Sequence, residues 1–93
     1  MFSDLIFYTR PGCHLCEAAL PHAQRAARLV GRRLSVIDID SDDDLVVEYG
    51  LRVPVLTTSG GRLLVEGNFK TVEIIRGLIA GGRPRAKGQE PRA

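Results

Sequence analysis

Two apolar patterns of different period meet at Cys13, and this junction limits the possible folds more than any other feature. Leu5-Ile6-Phe7-Tyr8 is a continuous apolar run, the pattern of a strand buried on both faces. Thr9-Arg10-Pro11-Gly12 breaks it. From Cys13 to about Val30 the spacing turns helical, with Leu20, Ala23, Ala27 and Val30 on one stripe. Pro21 lies inside this helix, where it removes a hydrogen bond and is expected to kink it. Gly31 ends it, and Arg28, Arg32 and Arg33 gather near the negative end of the dipole.

The only two cysteines of the chain, Cys13 and Cys16, stand at that junction with His14 and Leu15 between them. A CxxC that opens a helix has a chemical rationale. The free backbone N–H groups and the macrodipole at a helix N-terminus favour an anion, so the first thiol ionises below the ordinary value of about 8.5. The second thiol lies one turn on, in reach to attack a mixed disulfide and close the ring. Cys13 is therefore the expected nucleophile, and Cys16 the more buried resolving thiol. The bland alternative is a pair of buried apolar cysteines. Metal binding is another, but two sulfurs supply half a tetrahedral site, and the chain has no second CxxC and no HxxxH. A haem attachment needs His directly after Cys16, and Glu17 stands there.

The remaining pattern gives five more elements. Leu34 to Ile39 reads as a strand. Ser41-Asp42-Asp43-Asp44 reads as a helix start with Ser41 as N-cap and acids in the first turn, and that short helix stops at Gly50. Val53-Pro54-Val55-Leu56-Thr57 is a strand opened by a proline. Ser59-Gly60-Gly61 turns it into a further strand, Arg62 to Glu66, as an antiparallel hairpin. A last helix runs from about Lys70 to Ala80 with Val72, Ile75, Leu78 and Ile79 as its core face and Gly81 as its stop. The order is βαβαββα. A right-handed crossover makes the first two strands parallel, and a four-stranded mixed sheet with helices on both faces is the economical packing.

Composition bounds the rest. The 93 residues support one small domain, and 44% apolar with 26% charged residues is the balance of an ordinary globule. No run of 18 apolar residues implies a membrane span. Met1-Phe2-Ser3-Asp4 leads straight into a strand with no basic stretch, so a secretory signal is not expected, and two cysteines then read as a working dithiol in a cytoplasmic protein. Residues 1–80 carry nine basic and ten acidic residues, whereas residues 81–93 carry Arg83, Arg85, Lys87 and Arg92 against Glu90. The folded domain is accordingly expected over 1–80. The basic tail has almost nothing to bury and is expected to be a frayed terminus rather than a nucleic-acid arm.

With CxxC opening the first helix and a proline opening the third strand, this order resembles the thioredoxin fold in its compact glutaredoxin-like version. The resemblance covers residues 4 to 80. It extends to a group of small bacterial glutaredoxin-like proteins. Arg10-Pro11-Gly12-Cys13-His14-Leu15-Cys16 is similar to the glutaredoxin pattern with a basic residue three before the first cysteine. Arg52-Val53-Pro54 is similar to the Val-Pro whose proline is cis in that fold, and Pro21 to the helix proline of thioredoxins.

The resemblance implies a thiol–disulfide oxidoreductase with Cys13 and Cys16 as its catalytic pair. Arg10, His14, Val53 and Pro54 are the expected substrate-binding residues. Pro54 is expected cis, with the Val53 backbone offered to an extended substrate. No metal and no bound cofactor are implied. The expected partners are a disulfide-containing protein or a glutathione-type substrate, and a reductase as electron donor; a monomer is expected. One departure bears on glutathione as co-substrate. Glutaredoxins carry Gly-Gly followed by Asp before the last helix, and here the segment is Val65-Glu66-Gly67-Asn68-Phe69-Lys70-Thr71, with one glycine and no acid in place. Gly67-Asn68-Phe69-Lys70 is more similar to the redoxins that serve ribonucleotide reductase and draw on thioredoxin reductase. Weak glutathione use is therefore expected. Two non-catalytic readings stand beside the enzyme: an iron–sulfur cluster or soft metal held between two subunits, and an adaptor in which the dithiol is incidental.

Overall fold

A computed structural model describes residues 4–80. They form, in chain order, β1 Leu5–Thr9, α1 His14–Val30, β2 Leu34–Asp38, a 3-10 turn Ile39–Ser41, α2 Asp43–Tyr49, β3 Val55–Thr58, β4 Leu63–Glu66 and α3 Thr71–Ile79. The expected tail over 81–93 and the expected stop at Gly81 lie outside the described residues. The sheet order is β2-β1-β3-β4. β1 runs parallel to β2 with Leu5 opposite Leu34, and antiparallel to β3 with Tyr8 opposite Val55.

Alternation along the central strands sorts the core into two layers. Leu5, Phe7, Leu56 and Leu64 pack with Cys16, Ala19, Ala23, Ala26 and Ala27 of α1 and Ile74 and Leu78 of α3. Tyr8, Val55 and Leu63 pack on the other face with Ile39 and Tyr49. α1 and α3 therefore cover one face and α2 the other, as the sequence pattern requires. Alanines along the buried stripe of α1 let that helix lie close to the sheet. The helix continues through Pro21, which is exposed. Gly31 closes it at φ 68°, a conformation in which a side chain would be strained, with the Arg32 N–H on the Ala27 carbonyl at 2.9 Å.

Two local expectations are corrected. Ser41 does not cap α2. Asp42 does, its carboxylate accepting the Asp44 N–H at 2.8 Å, while Ser41 closes the 3-10 turn with its hydroxyl on the Asp38 carbonyl at 2.7 Å. A carboxylate accepts such a bond more strongly than a hydroxyl, and Asp38 caps the 3-10 turn in the same way through the Asp40 N–H.

The core face of α3 also differs. Ile74 and Leu78 are buried and Ile75 is half-buried, but Val72 is exposed and Ile79 is 81% exposed. Apolar residues at 72, 74, 75, 78 and 79 form a stripe wider than one contact face, so periodicity alone does not choose the inward side. Gly77 chooses it: a Cβ there would stand 3.1 Å from the Leu64 carbonyl oxygen, and the missing side chain lets α3 settle against β4. A register shift helps, since Leu56 pairs with Val65 but Thr57 with Leu63. This places Leu64 and Val65 both against the α1/α3 layer.

Candidate active site at the end of β1

Strand directions bring four loops to one end of the sheet. Cys13 follows the end of β1. Because β3 is antiparallel to β1 with Val55 opposite Tyr8, the segment Val53-Pro54 lies alongside Thr9 and Arg10. Thr9 pairs with Asp38, so the 3-10 turn starts there too. The β4–α3 loop joins them through the Gly67 N–H, which donates to the Pro54 carbonyl at 2.9 Å. The Val53–Pro54 bond is cis, as expected.

Cys13 is the N-cap of α1. Its Sγ accepts the Cys16 backbone N–H at 3.1 Å, taking the place an Asp or Ser oxygen holds in an ordinary cap. Cys13 and Cys16 lie at disulfide distance, with their Cα atoms 5.2 Å apart. The two differ in access: Cys13 is half-buried, whereas Cys16 is 3% exposed within the α1 core layer. Cys13 and Val53 pack against that same layer, which ties the dithiol to the cis-proline loop.

His14 turns to solvent. Its side chain is 97% exposed, with Glu17 Oε1 3.9 Å from Nδ1. Arg10 is drawn into the protein. Its Nη2 donates to Asp40 Oδ1 at 2.8 Å and its Nη1 to the Gly50 carbonyl at 3.3 Å. It thereby ties the approach to Cys13 to the 3-10 turn and to the end of α2. Val53 offers only part of its backbone, because its N–H already donates to the Tyr49 carbonyl at 3.0 Å.

Three residues outside the expected catalytic and substrate-binding set hold the surrounding structure together. Arg52, next to Val53, reaches Glu66 Oε1 at 2.7 Å and Glu48 Oε2 at 3.8 Å, and its guanidinium lies 5.4 Å from the centre of the Tyr49 ring. Tyr49 is buried and stacks on Tyr8 at 4.4 Å. The loop is thus clamped on three sides. The Glu48–Arg52 spacing of a helical pair was visible in the sequence; the Glu66 contact depends on the sheet. His22 Nδ1 lies 2.9 Å from Thr71 Oγ1 and accepts the Thr71 backbone N–H at 3.2 Å, which places the ring proton on Nε2. It satisfies the first N–H of α3 from the side of α1, a link between residues 49 apart in sequence that no local pattern announces. Among the described residues no group of three or more His, Cys, Asp or Glu side chains is placed to hold a metal ion, and no helix is long and apolar enough to cross a membrane.

Residues 4–78 match the family model described as Glutaredoxin-like domain (DUF836). Among solved structures, the chain is similar to the X. campestris protein XcR50, at 34% identity and a TM-score of 0.70, covering 83% of this chain and 97% of that one. It is also similar to protein Ne2328 from Nitrosomonas europaea, at 30% identity and a TM-score of 0.67, covering 84% and 92% of the two chains. A malarial protein at 12% identity and a TM-score of 0.61 shares the fold. No curated protein sequence matches the chain.

Proposed function

The chain belongs to the glutaredoxin-like family, and on that footing we propose that it is a cytoplasmic, monomeric thiol–disulfide oxidoreductase that reduces disulfides through Cys13 and Cys16. The observation that carries this reading is the position of Cys13: half-exposed, capping α1 through its sulfur, and paired with a buried Cys16. In the reduced protein the Cys16 N–H and the helix dipole stabilise a thiolate on Cys13. That thiolate attacks one sulfur of a substrate disulfide. A Cys13–substrate bond forms, the substrate S–S bond breaks, and the second substrate sulfur leaves as a thiolate. Cys16, deprotonated to solvent, then attacks Cys13 Sγ. The Cys13–Cys16 bond forms, the mixed disulfide breaks, and the remaining substrate sulfur leaves. Two electrons have passed from the dithiol to the substrate, and both product thiolates take protons from solvent.

The cycle needs an external thiol donor to reduce Cys13–Cys16 again. A dithiol protein kept reduced by a thioredoxin-type reductase fits better than glutathione. The segment before α3 lacks the Gly-Gly-Asp of glutaredoxins, and Arg10 is held by Asp40. Reduction of a small neutral disulfide by the reduced protein tests the reading. Turnover with dithiothreitol as donor is expected, and Cys13→Ser is expected to abolish it. No rate above that of dithiothreitol alone would overturn the assignment.

A further inference from the structure

Arg10 stands three residues before Cys13, yet its guanidinium is tied to the opposite layer of the molecule. Cys13 packs with α1, on the face of Leu5 and Phe7. The two acceptors of Arg10 flank α2, which covers the other face through Ile39 and Tyr49. Nη2 donates to Asp40 Oδ1 at 2.8 Å, in the turn that leads into α2, and Nη1 to the Gly50 carbonyl at 3.3 Å, just past its end. Asp40 therefore does two things: it cancels the charge of Arg10 and it fixes its direction. Without it, Arg10 is near enough to act on Cys13. Three residues of backbone span at most about 10 Å, about one Debye length at 0.1 M ionic strength.

A cation beside Cys13 matters in one redox state only. In the disulfide Cys13 Sγ carries no charge. In the reduced protein it is the thiolate that the Cys16 N–H supports. A cation there stabilises the reduced dithiol and weakens it as a reductant, and holding the cation away does the reverse. The other charges at this end of the sheet are Arg52 with Glu48 and Glu66, His14 beside Glu17, and Lys70 where α3 starts. They stay the same when only Arg10 and Asp40 are changed.

We propose that Asp40 is a positioning residue: it keeps the Arg10 guanidinium on the α2 side, away from Cys13, and so makes the reduced dithiol a stronger reductant. The proposal rests on the oxidoreductase reading and adds to it the residue that sets its driving force. The thiolate of Cys13 is then supported by the helix cap alone. A merely structural Asp40 would alter the melting temperature and leave the balance between dithiol and disulfide where it is.

The test equilibrates the full chain at neutral pH with graded ratios of reduced and oxidised dithiothreitol, then counts free thiols by alkylation. Dithiothreitol gives two electrons and two protons to the Cys13–Cys16 bond, which opens to two thiols while its own disulfide closes. Cys13 then loses its proton to solvent. Asp40→Ala is expected to shift this equilibrium toward the reduced dithiol by about two- to fivefold, the reach of a solvent-screened ion pair whose side chains are 35% and 43% exposed. That exposure also lets the change be made without loss of fold. In an Arg10→Gln background the same change is expected to leave the equilibrium nearly unmoved, because no guanidinium is there to release. Salt at about 1 M, where the Debye length is about 3 Å, should erase the shift in the single variant. No shift, a shift toward the disulfide, an equal shift with and without Arg10, or one that salt does not reduce would overturn the role of Asp40 and leave the oxidoreductase reading standing. A dithiol that does not exchange with dithiothreitol would overturn that reading, and the role of Asp40 with it.

Discussion

The sulfur of Cys13 accepts the backbone N–H of Cys16 at 3.1 Å, so the half-buried cysteine caps the helix that carries its fully buried partner. A cap acceptor is stronger when charged. The same bond that starts α1 therefore favours the thiolate of Cys13 once the disulfide is reduced.

Thiolate formation by Cys13 is expected below the ordinary thiol value of about 8.5. In the reduced protein, ultraviolet thiolate absorbance should rise in two steps, the first below that value and absent in Cys13→Ser. Reactivity toward an alkylating agent should follow the same first step, lost as pH falls through it. A first step at or above 8.5 would remove the role of the cap.

Arg52 is expected to hold the cis-proline loop. Arg52→Gln breaks the contacts to Glu66 and Glu48 and leaves Tyr49 without its guanidinium. These groups are about a third exposed, so solvent screening limits the loss to about 1 kcal/mol. Hydrogen exchange should speed up at the Val53 and Gly67 amides, which lie in the clamped loop, more than at Leu5 or Phe7. Uniform protection across these amides would contradict the clamp.

His22→Ala should cost about 1 kcal/mol, since it strips the N-terminal N–H of Thr71 of its acceptor. For a domain of this size that is a fall of roughly 4–8 °C in melting temperature. An unchanged melting temperature would mean that solvent replaces His22 without cost.

Ile74 and Ile79 should behave in opposite ways despite their shared chemistry. Ile74 is fully buried, so Ile74→Ala is expected to cost about 2–5 kcal/mol, and Ile79→Ala, at an exposed site, less than about 0.5 kcal/mol. Denaturant midpoints of the two variants decide the matter. The reverse order would restore the core face first expected for α3, with Ile79 inward.

Most of the fold was legible because its signals are local. The switch from a continuous apolar run to helical spacing at Cys13, Gly31 after Val30, and Pro54 before Val55 each report one backbone event, and each lies where the sequence put it. What was not legible depends on elements that meet only after folding. The inward face of α3 follows from Gly77 meeting the Leu64 carbonyl, and no periodicity within residues 71–79 contains that fact. Ser41 lost the cap to Asp42 because two carboxylates competed for adjacent turns. Within the candidate site the two cysteines were legible from spacing alone. The pairing of Arg10 with Asp40, and of Arg52 with Glu66, joins residues 30 and 14 apart in sequence. It turns Arg10, which the sequence offered to a substrate, into part of the scaffold, as it does Arg52.

The central claim is that Cys13 attacks and Cys16 resolves, and trapping tests it most directly. Cys16→Ser and Cys13→Ser variants are each mixed with a disulfide-bonded protein substrate and run on non-reducing gels. An intramolecular thiol one turn away outpaces any thiol arriving by diffusion. Without Cys16 the mixed disulfide on Cys13 should persist, visible as a covalent adduct that dithiothreitol releases. Cys13→Ser should form none, since Cys16 is only 3% exposed. Equal adducts from both variants, or from neither, would contradict the assignment.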